Sequence, residues 1–399
     1  MRVLKNAGRG LAAGCFVLAG SGSALAGAWD TLGIGSSELL FAPEKFVVEG
    51  SVTYVDRNVD YDNTAASFVI PGVPPTVVNP GGPATSRATP NIWNYQGALK
   101  FGITDNADCM ARINNPLSIE EEMDPDWRGR FSGYETQART LAFDATCAYR
   151  FQVGEGRYFR AIAGVKAQDL SYYSKGAHPL AGTAEVDLKA DGLDYGWRVG
   201  VAYEVPAYAL RASLIYDSQI ETDLSGDTIV GGSKAFDSTA SLTLPQSVEL
   251  NVQSGIAPGW LVSAGVKWVD WSVIDVLSVD SFHPVSGAAE GETVHRKLNF
   301  KDGWTVKAGI GHALNEKVSL GSSLQWDRGV GGSYSDTYTF GFGGSYAANK
   351  NVKFTVGTAA IYKTAGSGDA TNFASGTVNE YDYDASWAYA VNTKIRLSF

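Results

Sequence analysis

Tyr381-Asp382-Tyr383-Asp384-Ala385-Ser386-Trp387-Ala388-Tyr389-Ala390-Val391-Asn392-Thr393-Lys394-Ile395-Arg396-Leu397-Ser398-Phe399 closes the chain. The odd positions are apolar or aromatic almost throughout, and the even ones are small, polar or charged. Period two is the signature of a strand, because successive side chains leave opposite faces. Soluble strands average about five or six residues, and this stretch is far longer. A tilted strand crossing a bilayer needs about nine to eleven residues, with aromatics at the interfaces. The stretch therefore predicts a wall strand of a transmembrane barrel, apolar toward lipid and polar toward the interior.

The pattern recurs along the chain. Trp260, Val262, Ala264, Val266 and Trp268 alternate with Ser263, Gly265 and Lys267, and Trp304, Val306, Ala308 and Ile310 with Thr305, Lys307 and Gly309. Leu141, Phe143, Ala145, Cys147, Tyr149 and Phe151 alternate with Thr140, Asp144, Thr146 and Arg150. Strands are predicted near 45–58, 91–103, 107–114, 136–151, 157–173, 192–205 and 207–222. Seven more fall near 237–253, 259–274, 292–312, 316–328, 334–347, 351–363 and 380–399. The fold class is thus all-β, a transmembrane antiparallel β-barrel of about 14 strands. Phe399 resembles the terminal aromatic that outer-membrane barrels present for assembly. Short connections such as Gly154-Glu155-Gly156 and Ala257-Pro258-Gly259 are placed on the periplasmic side. Long ones near 59–90, 115–135, 174–191, 223–236, 275–291 and 364–379 are placed outside.

Composition agrees. Of 399 residues, 12% are aromatic and only 19% charged, with 46 Gly and 3 Cys. The formal net charge of −10 argues against nucleic acid, which demands a basic face. Arg2, Lys5 and Arg9 precede an apolar run from Leu11 to Gly20 and an Ala24-Leu25-Ala26 cleavage site, so residues 1–26 read as an export signal. A lipobox at Ala12-Ala13-Gly14-Cys15 is the rival reading, and it fails because the apolar run continues past Cys15. Residues 27–44 read as a short N-terminal hatch or plug, and 45–399 as the barrel.

Cys109 and Cys147 remain after processing. They fall low on adjacent antiparallel strands with shared outward parity, and the periplasm is oxidising, so a cross-strand disulfide is expected. No C-x-x-C or H-E-x-x-H spacing offers a metal set, and no G-x-S-x-G elbow offers a nucleophile. The sequence therefore predicts neither an enzyme nor a cofactor. The proline-rich stretch 59–90 holds six of the 14 prolines and cannot join a central ladder. Ser118-Ile119-Glu120-Glu121 has capping-box spacing and predicts a short helix. The acidic run Glu120–Asp126 then reads as a solvated helix face rather than a divalent-cation site.

Thr243-Leu244-Pro245-Gln246-Ser247-Val248-Glu249-Leu250, with Ala257-Pro258-Gly259-Trp260 and Trp268-Val269-Asp270-Trp271-Ser272, resembles the FadL-type long-chain fatty acid transporters (OmpP1/FadL/TodX). Asp191-Gly192-Leu193-Asp194-Tyr195-Gly196-Trp197-Arg198-Val199-Gly200 and Phe300-Lys301-Asp302-Gly303-Trp304 are similar to the same family. The resemblance implies a monomeric outer-membrane barrel plugged by an N-terminal hatch, for passive uptake of long-chain fatty acids or other hydrophobic small molecules. It also implies a sideways exit into outer-membrane lipid at a kinked third strand, here ending at Asn114-Asn115-Pro116. Two departures stand out. The family's Asn-Pro-Ala motif is missing, so the hatch is small, and the outer loop near 174–191 is short.

A fatty acid site needs an apolar sleeve and one or two cations. Lys301, in the Phe-Lys-Asp stretch that resembles the family, and Lys166, inward on the fifth strand, are the candidate carboxylate ligands. Leu39, Leu40 and Phe41 are candidate hatch contacts beneath the substrate. A general porin and an adhesin or structural barrel are the rival readings.

Overall fold

The computed structural model describes residues 37–70 and 76–399, so the export signal and the first part of the hatch lie outside the described residues. Fourteen antiparallel strands make one wall. It closes where the first strand, Phe46–Asp56, pairs with the last, Ser386–Ser398, from Val47 opposite Ser398 to Asp56 opposite Tyr389. Closure satisfies backbone groups that lipid cannot. The second to fifth strands are Ile92–Gly102, Ala107–Asn114, Glu135–Gly154 and Arg157–His178. The eleventh to thirteenth are Val318–Asp327, Thr337–Ala347 and Val352–Lys363.

Six strands are broken along their length. The third resumes as Ser118–Glu122, and the sixth comprises Gly182–Ala190 and Asp194–Val205. The seventh comprises Leu210–Asp217 and Ile220–Val230, and the eighth Ser233–Leu244 and Ser247–Ala257. The ninth runs Trp260–Val269 and Val276–Phe282, and the tenth Ala289–Lys297 and Gly303–Ala313. Pro116 and Pro245 sit in two of these breaks and have no N–H to give a ladder. A 3-10 turn, Trp271–Val273, sits in the ninth, and Asn299 adopts a φ of 48° in the tenth.

The lipid face is as the alternation predicts. Trp387 and Tyr389 are 52% and 58% exposed, while Ala388 and Ala390 face inward and are buried. Trp326, Tyr338, Tyr362 and Trp387 stand side by side in register across four strands, an aromatic band at one depth.

Several expectations are corrected. The segments near 174–191, 223–236 and 275–291 are not loops but strand hairpins that prolong the wall outward. Beyond the bilayer the outward face is wet, so these hairpins turn apolar residues inward and polar ones outward, the reverse of the lipid-facing pattern. Ser118–Glu122 is a strand rather than a helix, because Glu135–Arg139 offers it a ladder and Arg139 pairs with Glu120 at 2.7 Å. The stretch predicted as one strand near 380–399 is divided. Tyr381 and Tyr383 belong to Val378–Tyr383, in a separate outer sheet.

That sheet has five strands: Asp60–Ile70, Thr76–Val78, Thr85–Arg87, Gly366–Asp369 and Val378–Tyr383. The proline-rich 59–90 stretch thus pairs, though outside the barrel wall. Tyr61 stacks on Tyr381 with centroids 4.2 Å apart, beside fully buried Trp127. Burial, reinforced by the Glu121 carboxylate that accepts its O–H at 2.8 Å, pushes the Tyr61 hydroxyl well above its ordinary pKa. A Cβ added at Gly368 would lie 2.4 Å from the Tyr381 ring. Gly368→Ala is expected to loosen this cap at a cost of about 1–3 kcal/mol. Faster limited proteolysis within 366–383 than in the wild type checks it.

Candidate functional site: a charged cavity beside an opening in the wall

The interior is layered. At the periplasmic end the short 3-10 helix Ser37–Phe41 lies inside the barrel. Leu39, Leu40 and Phe41 are buried against Val47, Met110, Ala148, Ile162 and Ile215. Charged side chains hold it. Arg160 Nη1 donates to the Leu40 carbonyl at 3.1 Å and pairs with Asp108 (3.0 Å) and Glu204 (2.9 Å). Lys100, 2% exposed, donates to the carbonyls of Ala42 and Glu44 and pairs with Asp108 at 2.7 Å. Arg160 and Arg211 both lie over the Phe41 ring, and Arg211 also pairs with Glu38. Such desolvated cations make plug and wall one unit.

Above this floor is a cavity of about 80 Å³. The strand breaks shape it, since Pro116, Leu117, Ser218, Pro245 and Trp271 all line it. Its charged lining is Arg112, Lys166, Arg198 and Lys267 against Asp144 and Asp217, four cations to two carboxylates. Arg112 grips Asp144 with two bonds, at 2.8 and 3.1 Å. Arg198 pairs with Asp217 at 2.9 Å and approaches Asp144 at 3.6 Å, and Lys166 reaches Asp217 at 3.2 Å. Lys267 has neither an ion pair nor a hydrogen bond to any described residue. Glu249 stands opposite Lys267 in register but pairs with Lys307 at 2.9 Å, so the half-buried Lys267 ammonium is left without an ion pair and is set up to receive an anion.

Over the cavity, the outer half of the barrel is filled by apolar side chains, among them Leu170, Leu188, Leu224, Trp271, Ile274 and Val279. Apolar volume above and cations below match the two ends of an amphiphile with one acidic head. At about 80 Å³ the cavity is far below the ~300–1,000 Å³ of a pocket that encloses a whole ligand. It is head-group sized, and a long tail must displace part of the packing above it.

The wall ladder is interrupted beside this cavity. The second strand pairs with the third only from Gly97 opposite Ile113 to Gly102 opposite Asp108. Ser118–Glu122, the resumed third strand, pairs with the fourth strand alone. Residues 92–96 therefore have no ladder partner on that side among the described residues. Pro116 causes the break, and Thr140 repairs it only on the fourth-strand side. Its hydroxyl accepts from Leu117 N–H at 3.0 Å and donates to the Leu117 carbonyl at 2.8 Å. Across the opening, Asn94 Nδ2 donates to the Asn115 carbonyl at 3.5 Å. Arg57 closes the outer end, donating to the carbonyls of Pro90 (2.8 Å) and Glu120 (3.1 Å). Asn114, Pro116 and Leu117 border the opening and line the cavity, so the two are neighbours.

The residues singled out from sequence are dispersed. Lys166 lines the cavity, and Leu39, Leu40 and Phe41 lie in the floor beneath it. Lys301 does not join them. It falls in the break before Gly303–Ala313, is exposed, and donates its backbone N–H to Val330 at 2.9 Å. The inward parity counted along the tenth strand does not reach it. Its neighbour Asp302 accepts the Trp268 indole N–H at 3.0 Å. Arg112, Arg198 and Lys267 escaped sequence reading, although all three have inward parity. Parity gives the face of a residue, while the breaks of four strands, at Pro116, Ser218, Pro245 and Trp271, decide which inward residues meet. Cys109 and Cys147 are joined by a disulfide on the outer face of the third and fourth strands.

A closed barrel with the buried turn Ser37–Phe41 at its floor, a charged interior cavity and an interrupted wall ladder has the architecture of a transport channel of the outer membrane. The chain belongs to the family described as outer membrane protein transport protein (OMPP1/FadL/TodX), whose model matches residues 38–399. A long-chain fatty acid transport protein of Salmonella typhi is 22% identical over 79% of this chain and 80% of its own length. The fold is shared with a Pseudomonas aeruginosa FadL homologue at a TM-score of 0.75 and 16% identity, covering 96% of this chain and 98% of that one. It is also shared with the toluene transporter TodX of P. putida, at a TM-score of 0.58 and 13% identity, covering 91% and 92%.

Proposed function

We propose that this protein carries long-chain fatty acids, or hydrophobic compounds with an acidic head, inward across the outer membrane by passive diffusion. The supporting observation is the unpartnered Lys267 in a cavity with surplus positive charge, roofed by apolar packing and bordered by the wall opening. The carboxylate rests on Lys267, with Lys166 and Arg198 completing the field. The tail occupies the apolar layer, and the substrate leaves sideways past Asn115-Pro116-Leu117. Leu39, Leu40 and Phe41 bar passage straight through the floor. No cofactor and no chemical step enters this reading, in which the protein acts as a monomer exported by its first 26 residues.

Uptake of labelled oleate by cells lacking their own fatty acid transporter, with and without this chain, tests it. Restored uptake supports the reading. A folded barrel that restores nothing removes long-chain fatty acids from it. Toluene serves as the comparison, because two of the similar folds are toluene transporters. A neutral aromatic has no charge to place on Lys267, so toluene flux is expected to be insensitive to that residue. Lys301→Ala runs alongside and is expected to leave oleate uptake near wild type, since Lys301 stands outside the cavity lining. A loss equal to that of Lys267→Ala would move the head-group site to Lys301.

A further inference from the structure

The two seams of the third strand are unequal. Toward the fourth strand it is stitched along its whole length. Eight registered pairs run from Ala107 opposite Tyr149 to Asn114 opposite Ala142, and the ladder resumes from Ser118 opposite Arg139. Thr140 bridges the break between them, and Asn115 Nδ2 donates to the Thr140 carbonyl at 2.8 Å. On the inner face Arg112 grips Asp144, and on the lipid face the Cys109–Cys147 disulfide makes the same seam covalent. Toward the second strand there are six registered pairs and then the long Asn94 to Asn115 contact. No disulfide and no salt bridge crosses that seam above the floor, among the described residues.

We propose that the wall opening widens by parting the second strand from the third, downward from Gly97 and Ile113, and that Cys109 and Cys147 are positioning residues that keep the third strand on the fourth. A strand released by its weaker neighbour carries strain to its stronger one. The covalent link makes the stronger seam the fixed side of the opening, so the whole displacement falls on the six-pair seam. Gly97 suits its place at the head of that seam. A Cβ there would meet the Ile113 side chain at 3.3 Å, so the glycine lets the two strands close tightly when at rest. The Arg112–Asp144 pair beside the cavity moves with the fixed side, and the charged layer keeps its geometry while the opening changes width. This inference rests on the lateral exit proposed above.

The test uses the full chain in the outer membrane and reads maximal oleate uptake rate separately from the oleate concentration at half-maximal rate. Leu99 and Ala111 are registered opposites across the seam, with Leu99 facing lipid, and Leu99→Cys with Ala111→Cys places a second disulfide there. Peptide mapping verifies the pairing, and Leu99→Ser with Ala111→Ser controls for the substitutions themselves. The oxidised lock is expected to cut the maximal rate at least about tenfold, a barrier of ~1.4 kcal/mol, and to leave the half-maximal concentration in place. The same lock in a Cys109→Ala, Cys147→Ala background is expected to recover most of the rate, because the third strand can then part from the fourth. Asn94→Cys alkylated with a bulky maleimide obstructs the opening, giving up the 3.5 Å Asn94–Asn115 contact but leaving the registered pairs of both seams in place. If that obstruction stops uptake while the lock does not, the seam assignment is overturned and the lateral exit stands. If neither slows uptake, the lateral exit falls, and the seam assignment with it. If removing Cys109 and Cys147 does not relieve the lock, the disulfide is not what fixes the third strand.

Discussion

Arg160→Ala is expected to destabilise the folded barrel by about 3–5 kcal/mol and to unseat the floor, because it strands two carboxylates together. Asp108 and Glu204 both pair with this guanidinium inside the wall, and the Leu40 carbonyl and Phe41 ring rest on it. Removing one member of a buried ion-pair group costs more than the group contributes, since the remaining charge keeps its desolvation penalty. Lys100 offsets only the Asp108 side. A lower temperature of heat-induced mobility shift and a rise in single-channel conductance of the purified protein are the two readouts. An Arg160→Ala, Asp108→Asn, Glu204→Gln triple variant, which removes the stranded charges, is expected to recover most of the stability but not the seal. Unchanged conductance in the single variant would mean that Leu39, Leu40 and Phe41 stay in place by apolar packing alone.

Lys267→Ala is expected to raise the oleate concentration for half-maximal uptake about tenfold or more, with little effect on folding. Hydrogen bonds to charged groups contribute about 1.5–3 kcal/mol, and ~1.4 kcal/mol is a factor of ten. Lys267 forms no ion pair, and Glu249, registered opposite it, keeps Lys307 at 2.9 Å when it is lost, so the variant is expected to insert and to lose little stability. Lys166→Ala is the informative contrast. It removes a partner of Asp217, so any loss of uptake arrives with a measurable loss of stability. Lys267→Glu should depress oleate uptake further than alanine and leave toluene flux unchanged. Equal effects on oleate and toluene would show that Lys267 shapes the passage without reading the head group.

Much of this protein was legible without coordinates. Strict alternation along Trp387, Tyr389, Val391, Ile395 and Phe399 specified a lipid-facing wall strand, and its repetition gave the number of strands. Period two survives into the sequence because lipid and lumen impose opposite chemistry on adjacent residues. The shared outward parity of Cys109 and Cys147 was readable for the same reason. So was the end of a short third strand at Asn114-Asn115-Pro116, since a proline cannot donate to a ladder, whereas an opening there was implied only by the family resemblance.

The outer hairpins were not legible as wall, because Leu188, Leu224 and Val279 pack inward while Lys189, Asp223 and Asp280 face water, the reverse of the lipid-facing pattern. Tyr381 and Tyr383 carried the right alternation for the wrong sheet, since a buried stack and a lipid face both ask for aromatics at every second position. The site was the least legible part. Lys301 and Lys267 look alike on parity, and only the break at 298–302 separates an exposed lysine from one lining the cavity. The sequence by itself determined which residues face lipid, how many strands enclose the interior and where one of them must break. Tertiary structure decided which inward charges line one cavity, because that depends on strand tilt and on breaks contributed by four different strands, none of which fixes the level of another.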